Sequence, residues 1–574
     1  MLSRFMRASL CLGGAVAAAC SDSPTAATPD TTTTPVTTTT STCSGALSMS
    51  AGQVVAGVSG TSICVSGGVA GAEYALIPFY GTTVASASTS LDFTATGTVS
   101  PSAAPSLIPS ANASLDVIGS SAGLPTRYRA SHDFETTLRD RERVQLRPLI
   151  SAARAARQRA AASSRASFDA IPSNPTIGQI LRLNANADSE CTAPDYRGAR
   201  VVAITNSAIV VADTLNPTGG YTDAEYASFG VTFDTLIDPL DRAAFGDPSD
   251  IDGNSRIVLF FTKAVNDLTP TTSTSYVGGF FHGRDLFPTK ETADFAACAS
   301  SNVGEMFYVM VPDPKRGGPF AKANVESEVL GTLAHEYQHL INASRRMFVN
   351  TTATDFEETW LNEGLSHIAE ELLFYRVSGL KPRQDLDASA IRASATYVNA
   401  FNDYASDNFG RYREFLLSPS KFSVYSDNDS LETRGATWAF LRDAADRKAA
   451  SDGDTWFRLV NSTTTGMANL RAVFGTGVLN QVRDWGTSVL TDDLSGVDAL
   501  YQQPSWNFRA IFAALTNSTV FPVSTVTLAA GTKSVTLVGG ATSYIRFSVA
   551  SGGTASVQWS TPPASVQLTL VRTK

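Results

Sequence analysis

Charged side chains are scarce in this sequence, and so are cysteine, histidine and long apolar runs. Asp, Glu, Lys and Arg make up only 17% of the 574 residues, and the formal net charge is -9, which argues against a general polyanion binder such as a nucleic-acid-binding protein. No apolar run reaches the roughly 18 residues that span a bilayer. The hydrophobic content of 43% excludes wholesale disorder, and the length allows about three or four domains.

The amino terminus has the composition of a bacterial secretion signal. Arg4 and Arg7 precede an apolar stretch, residues 8–19, that ends in small residues directly before Cys20. This resembles the lipobox of bacterial lipoproteins, in which that cysteine carries the lipid, although Ala17 stands where Leu is usual. Ordinary cleavage at an A-x-A-like site is the alternative. We therefore expect export, either as a cell-surface or periplasm-facing lipoprotein attached at Cys20 or as a secreted protein.

Cysteine usage agrees with export. Cys11 and Cys20 belong to the signal, which leaves four of the six cysteines. The four are Cys43, Cys64, Cys191 and Cys298. Pairing the first two and the last two closes the smaller loops, so we expect these two disulfides. No C-x-x-C spacing occurs, which disfavours a cysteine zinc site or a redox motif.

Composition divides the chain after the signal, residues 1–20, into five further segments. They are a Thr/Pro-rich linker (21–42), a β-rich module (43–124), an Arg/Ala-rich stretch (125–174), a mixed helix and strand domain (175–517) and a second β-rich module (518–574). The fold class predicted is α+β, with a sandwich-like β module on either side of the main domain.

The stretch 125–174 contains ten Arg and no Lys between Arg127 and Arg165. Its Ala-rich composition predicts helix. A solvated connecting helix is the favoured interpretation. A processing region or removed pro-segment is the alternative, since exposed Arg-rich helices are easily cleaved.

The motif His335-Glu336-Tyr337-Gln338-His339 is an HExxH sequence. With only 5 His in the chain, random placement produces it in about one such chain in a thousand. Two His at i and i+4 project from one helical face, so both can bind one Zn²⁺, while Glu336 lies beside the water that attacks the substrate. We expect Glu336 to be the general base of amide hydrolysis.

A catalytic zinc needs a third protein ligand, and the next predicted helix offers one. In WLNEGLSHIAEE, the residues Glu363, His367 and Glu370 fall at i, i+4 and i+7 on one face. We expect Glu363 to be the third ligand. His367 is open to three interpretations, as a fourth ligand, an oxyanion donor or a structural residue, and the last is favoured.

The segments HEYQHLIN and WLNEGLSHIAEE together resemble the gluzincin metallopeptidases, and among them the hyicolysin family of secreted bacterial enzymes. The resemblance covers about forty residues. It implies a zincin-type domain over residues 175–517, with His335, His339 and Glu363 as zinc ligands and Glu336 as base. The substrate implied is a protein or peptide.

The sequence departs from that family pattern in ways that affect the assignments. Where thermolysin-like enzymes carry an Asp that holds a ligand His, this chain has His367, so Glu370 or Asp355 takes that role. No Tyr stands at the position that stabilises the oxyanion in the aminopeptidase branch, and Tyr425 is our prediction for it. The G-x-M-E-N motif that binds a free amino terminus is missing, which favours an endopeptidase. An aminopeptidase, or a surface binding or adhesion lipoprotein on an inactive scaffold, is the alternative.

Two weaker features lie before the motif. The pattern of residues 305–311 predicts a strand. This strand is either the edge strand that pairs with substrate or a core strand. Residues 247–254, rich in Asp, form a turn before a predicted strand at 256–261. This turn either holds Ca²⁺ or is an ordinary Asx/Gly turn, and the second interpretation is favoured.

Overall fold

The computed structural model describes most of the chain beyond its amino terminus. The described residues are 43, 45–105, 129–130, 132–162, 171–172, 174–270, 275–291, 295–427, 429–448, 451–516 and 518–574. The signal, Cys20 and the Thr/Pro-rich linker lie outside them. Within the described part, no helix is both long enough and apolar enough to cross a membrane.

The chain begins with short strands, two helices and the first strands of a central sheet. The strands are β1 (Val54–Ala56), β2 (Ser62–Ser66), β3 (Ala72–Tyr80), β4 (Ser88–Gly97), β5 (Val99–Ser100) and β6 (Arg129–Ala130). The helices are α1 (His132–Gln145) and α2 (Ile150–Ala162), and the next strands are β7 (Ile180–Asn184), β8 (Tyr196–Ile204) and β9 (Ala208–Asp213).

The main domain continues with alternating helices and strands. They are α3 (Asp223–Thr232), α4 (Asp238–Phe245), β10 (Ile257–Phe261), α5 (Lys263–Asp267), β11 (Ser275–Tyr276), β12 (Gly279–Phe281), β13 (Met306–Val309), α6 (Lys322–Ser344) and α7 (Thr359–Ser378). These elements form a six-stranded sheet in the order β12-β13-β10-β9-β8-β7. In it β13, β10 and β9 are parallel and the other pairs are antiparallel.

Eight further α-helices follow in the described part of the main domain. They are α8 (Ala388–Arg392), α9 (Ala395–Tyr404), α10 (Ser406–Leu417), α11 (Leu431–Lys448), α12 (Gly453–Val460), α13 (Gly466–Phe474), α14 (Val478–Thr491) and α15 (Phe508–Thr516). A hydrophobic core joins α6, α7 and α11 to one face of the sheet. Both predicted metal-site helices therefore pack into this core, and the α+β class is confirmed.

The strands at the two ends of the chain share two sheets. The last strands are β14 (Val526–Thr527), β15 (Gly531–Val538), β16 (Ile545–Val549), β17 (Thr554–Trp559) and β18 (Val566–Arg572). One sheet has the order β1-β18-β3-β16-β14, with β5 also on β16, and the other has the order β15-β4-β17-β2. The two β-rich stretches thus build one double-sheet unit around one core, where the sequence predicts two separate modules.

Three other sequence predictions can be compared with the fold. The disulfides Cys43–Cys64 and Cys191–Cys298 are both formed, which confirms the predicted pairing. The strand predicted at 256–261 is β10. The strand predicted at 305–311 is β13, and because β10 and β12 flank it on both sides, it is the core strand of the two alternatives. The edge strand beside it is β12.

Candidate metal centre

The helix α6 carries both histidines of the HExxH motif on one buried face. His335 is 7% exposed and His339 is fully buried. Their Nε2 atoms lie 3.2 Å apart, because residues four apart on a helix are neighbours. This distance allows both atoms to bind the same ion.

Glu363 on α7 completes a triangle of ligand atoms. Its Oε2 lies 3.4 Å from Nε2 of His335, and its Oε1 lies 3.3 Å from Nε2 of His339. Ligands about 2.0–2.2 Å from a tetrahedral zinc are about 3.4 Å from one another. Within the described residues Oε1 of Glu363 is buried and accepts no hydrogen bond. The donor set and its spacing therefore fit Zn²⁺.

Hydrogen bonds fix the orientation of both imidazole rings. Nδ1 of His335 lies 2.8 Å from Oε1 of Glu370, and Nδ1 of His339 lies 3.1 Å from Oγ of Ser366. Each ring therefore has its Nε2 atom available for a metal. Of the two residues that could hold a ligand His, the structure brings Glu370 to this place, while Asp355 forms an ion pair with Arg147 at 2.8 Å.

His367 lies beside this arrangement without being part of the triangle. Its Nδ1 is 3.1 Å from the same Glu370 oxygen that contacts His335. The two imidazole rings have centroids 5.0 Å apart. His367 thus helps to hold Glu370, which is in turn the hydrogen-bond partner of a predicted ligand.

Neighbouring charges hold Glu363 in its ionised form. Burial raises the pKa of Glu363, but Arg434 and His339 outweigh it and keep that pKa well below its usual range. Nη1 of Arg434 is 2.8 Å from Oε2 of Glu363, and Arg434 also pairs with Asp429. A negative carboxylate is the form that a cation requires.

The two histidines differ in their affinity for protons. Burial lowers the pKa of His335, but hydrogen bonds to Glu363 and Glu370 outweigh it and raise that pKa to about 10. Burial lowers the pKa of His339. Because a metal binds neutral imidazole, an incoming ion displaces a proton from His335.

Glu336 is held by the edge strand of the sheet. The backbone N–H of Phe281 donates to its Oε2 at 2.8 Å. A Cβ at Gly279 would lie 2.7 Å from Cγ2 of Thr332 on α6, so only glycine lets β12 pack this closely on the helix. Sequence patterns gave no indication of β12, because three residues are too few to show alternation.

Two cavities flank the triangle. The first, called here the His335 cavity, is lined by residues that include Glu135, Gly279, His335, Glu336 and Arg434. The second, the His339 cavity, has a volume of about 510 Å³, and its lining includes Arg139, His339 and Asn362. The predicted zinc ligands and the predicted general base therefore lie between two cavities, which other molecules or side chains can enter.

Part of the chain is similar to a known metalloprotease. Over 207 residues, which are 36% of this chain, it is 31% identical to the neutral metalloprotease ShpI of Staphylococcus hyicus. The match covers 44% of that protein, so the chain spans less than half the length of this relative. No protein-family model matches the sequence. The similarity supports a relationship to metallopeptidases, which typically use zinc.

Tyr425 is not brought to this centre. Its hydroxyl donates to the carbonyl of Thr82, in the double-sheet unit, and its ring packs beside that of Trp360. The cations that line the His335 cavity are instead Arg411, on α10, and Arg434, on α11. The sequence analysis missed Arg434, although an Arg on the otherwise apolar face of a buried helix is a signal that its charge has a partner there.

The predicted Asp-rich turn gains a third carboxylate in the fold. Glu305 joins Asp250 and Asp252, with one oxygen of each within 4.8 Å of the others. The turn is also braced internally, since Asp250 and Asp252 accept the N–H of Asn254, and Glu305 accepts the N–H of Ile251. Ca²⁺ at this turn stays a prediction.

We expect the stability of the chain to fall between about pH 4.5 and pH 8 because of Glu305. Burial and the charge of Asp252 raise the pKa of Glu305 to about 8. The folded state therefore keeps a proton that the unfolded state has lost, and each such proton lowers the unfolding free energy by about 1.4 kcal/mol per pH unit. Melting temperatures measured with a chelator should decline over this range, and less steeply in Glu305→Gln.

The exposed substitution Glu326→Gln is the matched control and should keep the wild-type slope. An equal slope in Glu305→Gln and in the wild type would contradict the assignment. Added Ca²⁺ gives a separate answer, because a cation bound by ionised carboxylates abolishes the decline. A decline unchanged by Ca²⁺ would identify an ordinary turn.

Proposed function

We propose that this chain is an exported zinc endopeptidase that hydrolyses peptide bonds in proteins or peptides. The observation that carries the proposal is the triangle of His335, His339 and Glu363, with ligand atoms 3.2–3.4 Å apart and Glu336 next to it in the sequence. The similarity to a metalloprotease supports it. The domain would be a gluzincin of the zincin type over residues 175–517, most like the hyicolysin family.

Each residue has a definite task in the proposed reaction. Zinc supplies Lewis-acid chemistry, since it lowers the pKa of water and polarises a carbonyl oxygen. Glu336 takes a proton from the attacking water and gives it to the leaving amine, and the N–H of Phe281 holds the carboxylate in place for both transfers. The edge of β12 that faces away from β13 would offer backbone groups for pairing with an extended substrate. Glu370 keeps His335 oriented, and Arg434 keeps Glu363 ionised.

The same proposal covers the location of the protein. The basic and apolar amino terminus supports export, and lipid attachment at Cys20 would hold the protein on the outer leaflet of a membrane. The Thr/Pro-rich residues 21–42 would then be a spacer between the membrane and the domains.

The direct test is cleavage of internally quenched peptides with blocked termini by the exported chain. Because the Arg-rich stretch is also interpreted as a processing region, the assay is run before and after limited tryptic digestion that is stopped with a serine-protease inhibitor. We expect cleavage that a chelator abolishes and zinc restores. Cleavage only of peptides with a free amino terminus would favour an aminopeptidase. A zinc-loaded chain that cleaves neither would favour a binding protein on an inactive scaffold.

A further inference from the structure

The helix α1, from the Arg-rich stretch, lies across the candidate active site. It contributes Glu135 to the lining of the His335 cavity and Arg139 to the lining of the His339 cavity. Both residues are more than nine-tenths buried. The helix therefore contacts the spaces on both sides of the metal triangle, which a solvated connecting helix would not do.

The contacts of α1 are made with the strand along which we expect substrate to bind. Nη2 of Arg139 donates to the carbonyl of Phe281 at 3.0 Å. Glu142 accepts the N–H of Gly283 at 2.5 Å and pairs with Arg139 at 2.7 Å. The ring of Phe134 packs edge-on against Phe280. These groups occupy the open side of β12, so an extended peptide cannot pair there while α1 is in place.

The strand before α1 adds a backbone contact to the chain that leads into β12, in a separate two-stranded sheet. β6 pairs in parallel with β11, at Arg129 with Ser275 and Ala130 with Tyr276. The residues that follow β11, Val277 and Gly278, line the His335 cavity. A strand of the segment is thus paired with a strand that leads directly into the lining of the His335 cavity.

Charge complementarity also joins the segment to the cleft. Among the residues that the structure describes, the main domain supplies five acidic side chains and no Lys or Arg to the lining of the His339 cavity. These are Asp355, Glu357, Glu358, Asp427 and Asp429. The segment supplies Arg139, Arg143 and Arg147 to the same cavity, together with Asp140 and Glu142, and Nε of Arg147 pairs with Asp355 at 2.8 Å.

The next helix, α2, differs from α1 in how it is attached to the main domain. The α2 residues Ile150, Ala153 and Ala156 belong to the main hydrophobic core, and Arg154 donates to three backbone carbonyls of the main domain. α2 is therefore part of the folded framework. α1 combines its polar contacts at the cleft with the burial of Leu138 in a separate hydrophobic cluster, and Leu146, directly after α1, lies in the same core as α2.

We propose that residues 129–147 are an autoinhibitory segment that closes the substrate cleft, so that the intact chain is latent until the segment is displaced. This rests on the proposed peptidase function of the same site. β1–β5 pair with the carboxy-terminal strands and not with residues 129–147. The segment can therefore move out of the cleft while the residues before it stay in the folded protein. The segment remains tethered after it opens, and closure is reversible.

The test compares two double variants of the full chain, each loaded with zinc. Arg139→Ala/Glu142→Ala removes the contacts to Phe281 and Gly283. Val144→Ala/Gln145→Ala changes two exposed side chains of the same helix that line neither of the two cavities and is the control. Two rates are measured, the hydrolysis of a quenched peptide and the binding of a fluorescent peptide hydroxamate, which needs access to zinc but no turnover.

We expect Arg139→Ala/Glu142→Ala to raise both rates by about tenfold or more, because apparent affinity scales with the open fraction, and the control to stay within about twofold of wild type. If the hydroxamate binds faster to Arg139→Ala/Glu142→Ala but no variant hydrolyses the peptide, the proposed closure is supported and the proposed peptidase function is contradicted. Unchanged rates in a folded, zinc-loaded Arg139→Ala/Glu142→Ala would overturn the closure. If that variant does not fold, Phe134→Ala, which removes only the ring contact with Phe280, gives the same comparison.

Discussion

Replacing Glu336 by Gln is expected to lower peptide hydrolysis by about 10³-fold or more while zinc stays bound, since positioned general bases contribute about 10²–10⁴-fold. The amide has nearly the shape of the carboxylate and keeps an oxygen that can accept the N–H of Phe281. It cannot take a proton from the attacking water. The three ligand residues are unchanged, so only the proton transfer is lost.

The measurement is turnover of a quenched peptide together with zinc content by elemental analysis. Glu326→Gln, an exposed substitution on the same helix, is the control and should retain wild-type turnover. The assay is run in the Arg139→Ala/Glu142→Ala background as well, so that closure by α1 is not mistaken for loss of the base. Residual turnover above about a tenth of the parent, far above that expected for a lost general base, would contradict the role of Glu336.

The sequence predicted the metal triangle because the relevant spacing is local. His335 and His339 are one helical turn apart, and α7 places Glu363, His367 and Glu370 on one face at helical spacing. Only the packing of α7 against α6 depends on the tertiary fold and could not be derived from local spacing. The resemblance to gluzincins predicted that approach, and the 3.3–3.4 Å distances agree with it.

What the sequence could not predict depends on contacts between distant residues. Leu91 on β4 lies opposite Val535 on β15. The alternating pattern of a strand does not indicate which other strand it pairs with. Local reasoning therefore placed these strands in separate modules. The position of α1 was missed for the same reason. In the sequence, Arg139 and Glu142 resemble the charged residues of a solvent-exposed helix, and only the fold brings them into contact with β12 and the residues after it.

Removing Glu363 or His339 is expected to cost zinc binding, with affinity lower by more than about 100-fold, since even the loss of an outer hydrogen-bond partner costs about 10–100-fold. In Glu363→Ala, two imidazoles remain, and Arg434 loses Glu363 but keeps Asp429 as a partner, so a bound cation now lies near a less fully compensated positive charge. Elemental analysis of the purified chain should find about one zinc in the wild type and almost none in either variant. Glu358→Ala, at the start of α7, is the control.

Full zinc occupancy in Glu363→Ala would point to a different ligand set. His335, His367 and Glu370 form a second group whose ligand atoms lie within 4.8 Å of one another. Both sets share His335, but through opposite nitrogens, because Nε2 faces Glu363 and Nδ1 faces Glu370. The two sets therefore make opposite predictions for His367→Ala. We expect this variant to keep its zinc, whereas the second set requires its loss.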